Sequence, residues 1–253
     1  MPADYAHPFA FRTEDLDGTR VLHARGFLDA RSYVPLRDAI IAAALNGPRA
    51  VIIDVTTLVV AAPSAWAAIT SARWHVTRWP DVPIALACAH PEGRAAIGHS
   101  VGRHVPVYPS VRQAIDALPN PGRSSDRPRR RVALPATPAS VARSRELIAE
   151  WLIDWQRPDP IFTAKLVVTV LVENVLKHTD SVPVIRLEIS EDVVTVAVED
   201  HSTAPAVRRE WSKSGGDEVS GLAIVAALCR SWGNAPTSSG KAVWAAIGPE
   251  NHL

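Results

Sequence analysis

Along the first half of the chain, short apolar runs alternate with segments whose apolar residues recur at helical spacing. The pattern predicts strands and helices in turn over residues 21–26, 31–45, 50–57, 63–79, 83–88, 92–100, 105–108 and 110–118. The run at 50–57 (AVIIDVTT) begins with four consecutive apolar residues and is predicted to be a buried strand. Strands and helices that alternate at this pace predict an α/β layer with parallel strand pairing.

The second half has a different order of elements. Two helices, two strands, a helix and a strand are predicted over residues 137–155, 160–177, 184–189, 193–199, 221–232 and 241–247. Thr137 is a suitable N-cap for the first helix, with Pro138 at the first helical position. A polar stretch over 200–220, containing Gly215 and Gly216, is typical of a lid or a binding loop. This order predicts an α/β sandwich.

The boundary between the halves is a change of composition at residues 119–131. This segment mixes three prolines and a glycine with small polar residues and ends in consecutive arginines, the composition of an exposed linker. Two interpretations of the arginines are open, a contact with an acidic partner and a solvated face. We therefore predict two domains, 13–118 and 132–248.

Bulk composition excludes several classes of function. The chain of 253 residues is long enough for two domains, and 27 basic against 26 acidic residues leave a net charge of +1. We therefore expect no direct contact with nucleic acid or membrane. No run approaches the roughly 18 apolar residues of a membrane span, and the first residues lack a signal-peptide core, so we expect a cytoplasmic protein. Cys88 and Cys229 fit no disulfide or zinc pattern.

One segment of the second helix carries candidate chemistry. Within LVENVLKH (171–178), the spacing puts Glu173, Asn174 and Lys177 near one side of a helix. A glutamate can polarise a hydroxyl, an amide oxygen suits Mg²⁺, and a lysine can neutralise phosphate. This is the chemistry of a nucleotide-phosphate site, although most such strings are only the polar end of an amphipathic helix.

Further along, three residues fit the same kind of site. Asp200 ends a strand, where its carboxylate could accept a hydrogen bond from the amino group of adenine. Gly221 opens a helix whose N-terminus favours anions, and Lys241 at the start of the last strand is a second candidate phosphate contact. Each has a structural alternative: a solvated aspartate, a loop glycine and an exposed lysine.

Residues 132–248 resemble the histidine-kinase-like (GHKL-type) ATPase domains of bacterial anti-sigma factors, the serine kinases that bind sigma factors. The matching segments occur in the family's order and are VALPATPASVARSRELIAEWL, LVENVLKH, VAVED, SGLAIVAALCRSWG and GKAVWAAI. The resemblance implies that Asn174 holds Mg²⁺, Glu173 is the general base and Asp200 contacts adenine. It also implies that Gly221 and Leu222 lie beside the phosphates, with ATP and Mg²⁺ as cofactors.

The sequence departs from the family's glycine pattern at two points. Residues 201–205 read HSTAP where the family often has glycine-rich sequence, and Val219-Ser220-Gly221 retains one glycine of the usual G-x-G. Side chains at such positions can block a close approach of the backbone to phosphate.

Residues 13–118 resemble a STAS domain, the fold of anti-sigma-factor antagonists. The segments that carry this resemblance are GFLD (26–29), VIID (51–54) and AAPSAW (61–66). It implies that Ser64 is the phosphate acceptor, and a phosphate near a helix N-terminus is electrostatically favoured. Ala62, Pro63 and Ala65 depart from the family's D-S-S-G turn, and the alternative is that Ser64 only starts the helix.

Together the resemblances imply a regulator of transcription that acts by partner switching. The expected partners are a sigma factor, anti-sigma antagonist proteins or both, and the kinase likeness implies a homodimer. The phosphorylated serine would be Ser64 of the same chain, Ser64 of a second chain, or that of a separate antagonist. A rival interpretation is a non-enzymatic binding scaffold with degenerate sites, and a third is a sensor whose STAS half binds a small ligand.

Overall fold

The computed structural model describes residues 8–118, 127–206 and 221–252. The chain forms two compact units, Met1–Ser125 and Asp126–Leu253, which divide inside the segment predicted as a linker. Linker residues 119–126 and the predicted loop glycines Gly215 and Gly216 lie outside the described residues.

In its described part the first unit contains strands β1–β5 and helices α1–α4. The strands are β1 (Ala10–Leu16), β2 (Thr19–Leu28), β3 (Val51–Val60), β4 (Ile84–Ala87) and β5 (Val107–Tyr108). The helices are α1 (Tyr33–Leu45), α2 (Ala67–Arg78), α3 (Pro91–Ser100) and α4 (Val111–Ala117).

The strands form one sheet in chain order, β1-β2-β3-β4-β5. Strands β2 to β5 pair in parallel, as the sequence pattern predicts, and β1 adds antiparallel to β2 at the edge. The prediction did not include β1, because its sequence, AFRTEDL, is mostly polar and its side chains are exposed or only partly buried.

Both faces of this sheet are covered. Helix α4 packs through Ala114 and Ile115 against a face that includes Val21 and Ile52. Leu22 alternates with Val21 along β2 and is also fully buried, so the other face is covered as well. Helices α1 and α2 pack against each other, and α1 contacts β2 and β3.

The second unit contains strands β6–β10 and helices α5–α7 in its described part. The strands are β6 (Arg129–Ala133), β7 (Val184–Ser190), β8 (Val193–Asp200), β9 (Ser231–Pro236) and β10 (Lys241–Ile247). The helices are α5 (Ala139–Asp154), α6 (Ile161–His178) and α7 (Gly221–Leu228), followed by a short 3₁₀ helix, Pro249–Asn251.

These strands form an antiparallel sheet in the order β6-β7-β8-β10-β9. Helix α6 packs on β8 and β10 and also contacts α5 and α7. Their apolar faces form one core, in which residues such as Ile148, Val168, Val172, Val196 and Ala245 are fully buried. The unit is thus the α/β sandwich that the order of elements predicts.

Three boundary predictions need correction. The arginines predicted as linker form β6, which pairs with β7, and Arg131 reaches across β7 to form an ion pair with Glu199 of β8 at 2.8 Å. Thr137 makes no side-chain cap, and α5 begins at Ala139 after Pro138. The helix predicted over 221–232 ends at Leu228, and the chain turns into β9 at Ser231.

The helix predicted over 63–79 is also divided. Its first turn, Pro63–Trp66, is a 3₁₀ helix, and α2 proper runs over Ala67–Arg78. Trp66 is buried in the core and holds this turn against the unit. Within the described ranges, we find no helix that combines the length and apolar character needed to cross a membrane.

Candidate functional site

The end of β8 places a carboxylate inside the second unit. Asp200 is the last residue of the strand, and alternation puts its side chain on the same sheet face as Val196 and Val198, which pack under the helices. The Asp200 side chain is only 3% exposed. This burial excludes the structural alternative of a solvated strand-end aspartate.

Lys241 forms an ion pair with this carboxylate. It lies directly opposite Asp200 in the pairing of β10 with β8, and its Nζ is 2.9 Å from Asp200 Oδ1. The same ammonium donates to the carbonyl of Ser202 at 3.4 Å. Because Lys241 is buried and engaged here, it is neither the open phosphate contact nor the exposed lysine considered from sequence.

Two polar residues that the sequence analysis did not select hold the chain next to Asp200. The His201 N–H donates to Ser181 Oγ at 3.0 Å, which ties this point to the segment after α6. The Asn234 amide of β9 exchanges hydrogen bonds with the Ala206 backbone, at 3.1 Å to its N–H and 3.0 Å to its carbonyl. No motif marks these residues, since their partners are backbone groups distant in sequence.

Helix α6 presents the three predicted residues near its C-terminal end. Lys177 Nζ lies 3.3 Å from Glu173 Oε2, and these side chains are 65% and 42% exposed. Asn174 is half-buried, and its side chain makes no hydrogen bond to any other described residue. Glu173 and Asn174 are accordingly accessible, while Lys177 is paired with the predicted base.

The start of α7 lies against α6 close to Asn174. A Cβ built on Gly221 would lie 2.8 Å from Val170 Cγ1, and Val170 is one helical turn before Asn174. The Leu222 side chain is buried in the core, so only its backbone is available to a ligand. Cys229 follows α7, and burial raises the pKa of its thiol to about 12, so it remains a neutral thiol near pH 7.

The residues can be tested for their fit to Mg²⁺ and ATP. Within the described ranges there is no group of three or more His, Cys, Asp or Glu side chains that could hold a metal by itself. Mg²⁺ in nucleotide sites commonly uses one or two protein oxygens together with substrate phosphates and water. The accessible amide of Asn174 fits that requirement. The two lysines considered as phosphate contacts are not free, because Lys177 pairs with Glu173 and Lys241 pairs with Asp200.

In the first unit, Ser64 is an exposed residue of the 3₁₀ helix that follows β3. It borders a shallow groove of about 360 Å³ whose other lining residues are Pro63, Trp66, Ala67, Thr70, Ser100 and Val101. The hydroxyls of Thr70 and Ser100 donate to backbone carbonyls of their own helices. The Ser64 hydroxyl makes no hydrogen bond to another described residue and is open to a partner.

A second polar cluster crosses the sheet of this unit. His23 Nδ1 lies 3.1 Å from Asp54 Oδ2, and His23 Nε2 lies 3.3 Å from Glu14 Oε2. Burial raises the pKa of Asp54, but hydrogen bonds from the Thr56 hydroxyl and N–H and from His23 outweigh it, leaving the pKa below its ordinary value. The cluster therefore holds an ionised carboxylate in place.

Comparison with known proteins gives matches only among solved structures. An anti-sigma factor antagonist from Mycobacterium paratuberculosis is 20% identical, with 44% of this chain and 94% of that chain covered and a TM-score of 0.38. The unphosphorylated form of the anti-sigma factor antagonist SpoIIAA is 22% identical, with 42% and 94% covered and a TM-score of 0.35. No protein-family model and no curated protein matches the sequence.

Proposed function

We propose that the chain regulates a sigma factor by partner switching. An antagonist-like domain over 13–118 is joined to an anti-sigma, serine-kinase-like domain over 132–248 that binds MgATP. The observation that carries the nucleotide part is the packing of Gly221 against Val170, since it places the start of α7 beside the end of α6 that carries Asn174.

Each side chain has a distinct role in this proposal. The Asn174 amide oxygen ligates Mg²⁺, which neutralises phosphate charge when it is bound. The Asp200 carboxylate, on the helix-covered face of the sheet, accepts a hydrogen bond from the amino group of adenine. Backbone N–H groups of Gly221 and Leu222, at the start of α7, face the phosphates, where the helix dipole favours anions.

The reaction proposed is transfer of the γ-phosphoryl group of ATP to a serine hydroxyl. The serine oxygen forms a bond to the γ-phosphorus while the bond to the β–γ bridging oxygen breaks, and ADP leaves with that electron pair. The serine proton passes to the Glu173 carboxylate. Ser64 of the same chain or of a second chain is the proposed acceptor, because its hydroxyl is exposed and carries no competing hydrogen bond from the described residues. A separate antagonist is the other proposed substrate.

Incubation of the full chain with ATP labelled at the γ-phosphate tests this proposal. We expect label on wild type, no label on Ser64→Ala, and full label on Ser100→Ala, which removes another serine of the same groove. Glu173→Gln should slow labelling by roughly 10²-fold or more, the usual contribution of a general base. Undiminished labelling of Ser64→Ala would exclude Ser64 as the acceptor, and undiminished rate in Glu173→Gln would exclude Glu173 as the base.

The alternative function is a protein-binding scaffold without catalysis. It is favoured by one observation: the two lysines predicted to face phosphate are each paired with an acidic residue, Lys177 with Glu173 and Lys241 with Asp200. Under this alternative the chain binds its protein partner equally with and without MgATP. A partner affinity that changes on addition of MgATP would contradict the scaffold.

A further inference from the structure

The environment of Asp200 leaves its two carboxylate oxygens in different states. Oδ1 accepts from Lys241 Nζ at 2.9 Å and from the Ser202 N–H at 2.7 Å. A carboxylate oxygen has about two acceptor positions, so these two bonds fill Oδ1. No described residue donates to Oδ2, which remains the acceptor for a ligand.

The backbone around this carboxylate is fixed as well. A Cβ on Gly240 would overlap the Asp200 carbonyl oxygen and the His201 backbone, so the strands meet here without room for a side chain. The Lys241 and Asp200 side chains are 10% and 3% exposed, and a buried ion pair of this kind holds each partner in one orientation. Lys241 and the Ser202 N–H together thus determine which oxygen of Asp200 is free, and Lys241 is the side chain of the two.

We propose that Lys241 is a positioning residue that makes Asp200 selective for adenine over guanine. The inference rests on the proposed nucleotide site and assigns Lys241 to base recognition rather than to phosphate. Guanine presents its N1–H and 2-amino group side by side, an arrangement that a carboxylate binds with both oxygens. With Oδ1 filled, only Oδ2 is open, so Asp200 cannot bind the two donors of guanine with both oxygens, while one oxygen is sufficient for the single amino group of adenine.

The test compares the affinities of the full chain for MgATP and MgGTP by calorimetric titration. We expect wild type to favour ATP by about tenfold or more, the contribution of one hydrogen bond to a charged group. Lys241→Met frees one of the two acceptor positions of Oδ1, which makes binding of guanine through both oxygens possible, and the ratio should fall to within about threefold. Lys241→Arg keeps a cation at Oδ1 and should restore the preference.

Two further variants separate selectivity from folding. Lys177→Met lies outside the base site, so it should weaken ATP and GTP equally and leave the ratio unchanged. Removal of a buried cation can destabilise the fold, so Asp200→Asn combined with Lys241→Met removes both charges together. Circular dichroism of each variant establishes that it is folded, and the double variant is expected to lose the preference for ATP.

The outcomes distinguish this inference from the function on which it rests. A wild-type chain that binds neither nucleotide contradicts the nucleotide site itself, and the inference fails with it. A wild-type chain that binds ATP and GTP equally leaves the nucleotide site intact and overturns the role of Lys241. The inference is also overturned if folded Lys241→Met, or the folded double variant, keeps the wild-type ratio.

Discussion

Gly221 at the start of α7 packs against Val170 of α6, leaving no space for a side chain between the two helices. The contact is one turn from Asn174, so it sets the distance between the proposed Mg²⁺ ligand and the proposed phosphate-binding backbone. Glycine is required here for a close approach of helices, independently of any role in binding phosphate.

Gly221→Ala should therefore destabilise the second unit. Its Cβ would fall 2.8 Å from Val170 Cγ1, and such overpacking costs about 1–3 kcal/mol of the unfolding free energy. Hydrogen exchange of peptides from α6 and α7 in increasing urea measures the change in unfolding free energy of these two helices.

The controls for Gly221→Ala are a second glycine and a paired substitution. Gly98 lies in α3 with open space around its Cβ position, so Gly98→Ala should be neutral or stabilising because alanine favours helix. Val170→Ala combined with Gly221→Ala should show a favourable coupling of about 1 kcal/mol. Additive effects of the two substitutions would contradict the packing argument.

Lys177 should affect nucleotide binding far more than stability. Its exposed ion pair with Glu173 spans one helical turn, and such pairs contribute only about 0.3–0.5 kcal/mol to the unfolding free energy. If the ammonium turns to phosphate when MgATP binds, Lys177→Met should weaken binding about tenfold through loss of a charge-assisted hydrogen bond. Lys165→Met, on the same helix, is the control. Equal MgATP affinity in both variants would show that Lys177 forms only the surface ion pair and does not contact phosphate.

Acid should weaken the first unit through Asp54. The pKa of this carboxyl is lower in the folded chain than in the unfolded chain, so its stabilisation is present above about pH 4, the ordinary range of an aspartate, and is lost as the pH falls through the folded value. Asp54→Asn should cost about 1 kcal/mol at pH 7, where hydrogen bonds to the charged group are lost, and should flatten the fall in stability between pH 5 and pH 3.

Hydrogen exchange of β2 and β3 peptides at each pH measures the stability of this unit separately from the other. Asp116→Asn, an exposed aspartate of α4, serves as the matched control and should retain the wild-type pH profile. An Asp54→Asn variant that loses stability with acid as steeply as wild type would show that other groups carry the dependence.

The periodic elements could be predicted from sequence because each buries an apolar face with a recognisable repeat. Strands such as β3 and β10 and the long helices α5 and α6 lie close to their predicted bounds. Elements were missed where tertiary pairing rather than local pattern decides. Strand β6 begins with three arginines, and its pairing with β7 and the ion pair of Arg131 with Glu199 of β8 cannot be read from the local pattern. Strand β9 follows a helix without a clear stop signal.

The residue types of the candidate site could be predicted from the sequence, but the ion pairs and hydrogen bonds between them could not. The sequence placed Asp200 at a strand end and Lys241 at a strand start, and only the antiparallel register of β8 with β10 brings them together. Whether either residue is buried depends on which sheet face the helices cover. Ser181 and Asn234 bind backbone groups, and the side-chain pattern of a sequence does not identify such partners.

Calorimetric titration of MgATP into the full chain tests the nucleotide site most directly. We expect saturable binding to wild type, and Asn174→Ala should weaken it by about tenfold or more because a proposed metal ligand is lost. Thr169→Ala, another half-buried polar residue of α6, should bind as wild type does. Absence of saturable binding to wild type, or equal affinity in Asn174→Ala, would contradict the nucleotide site and favour the protein-binding scaffold.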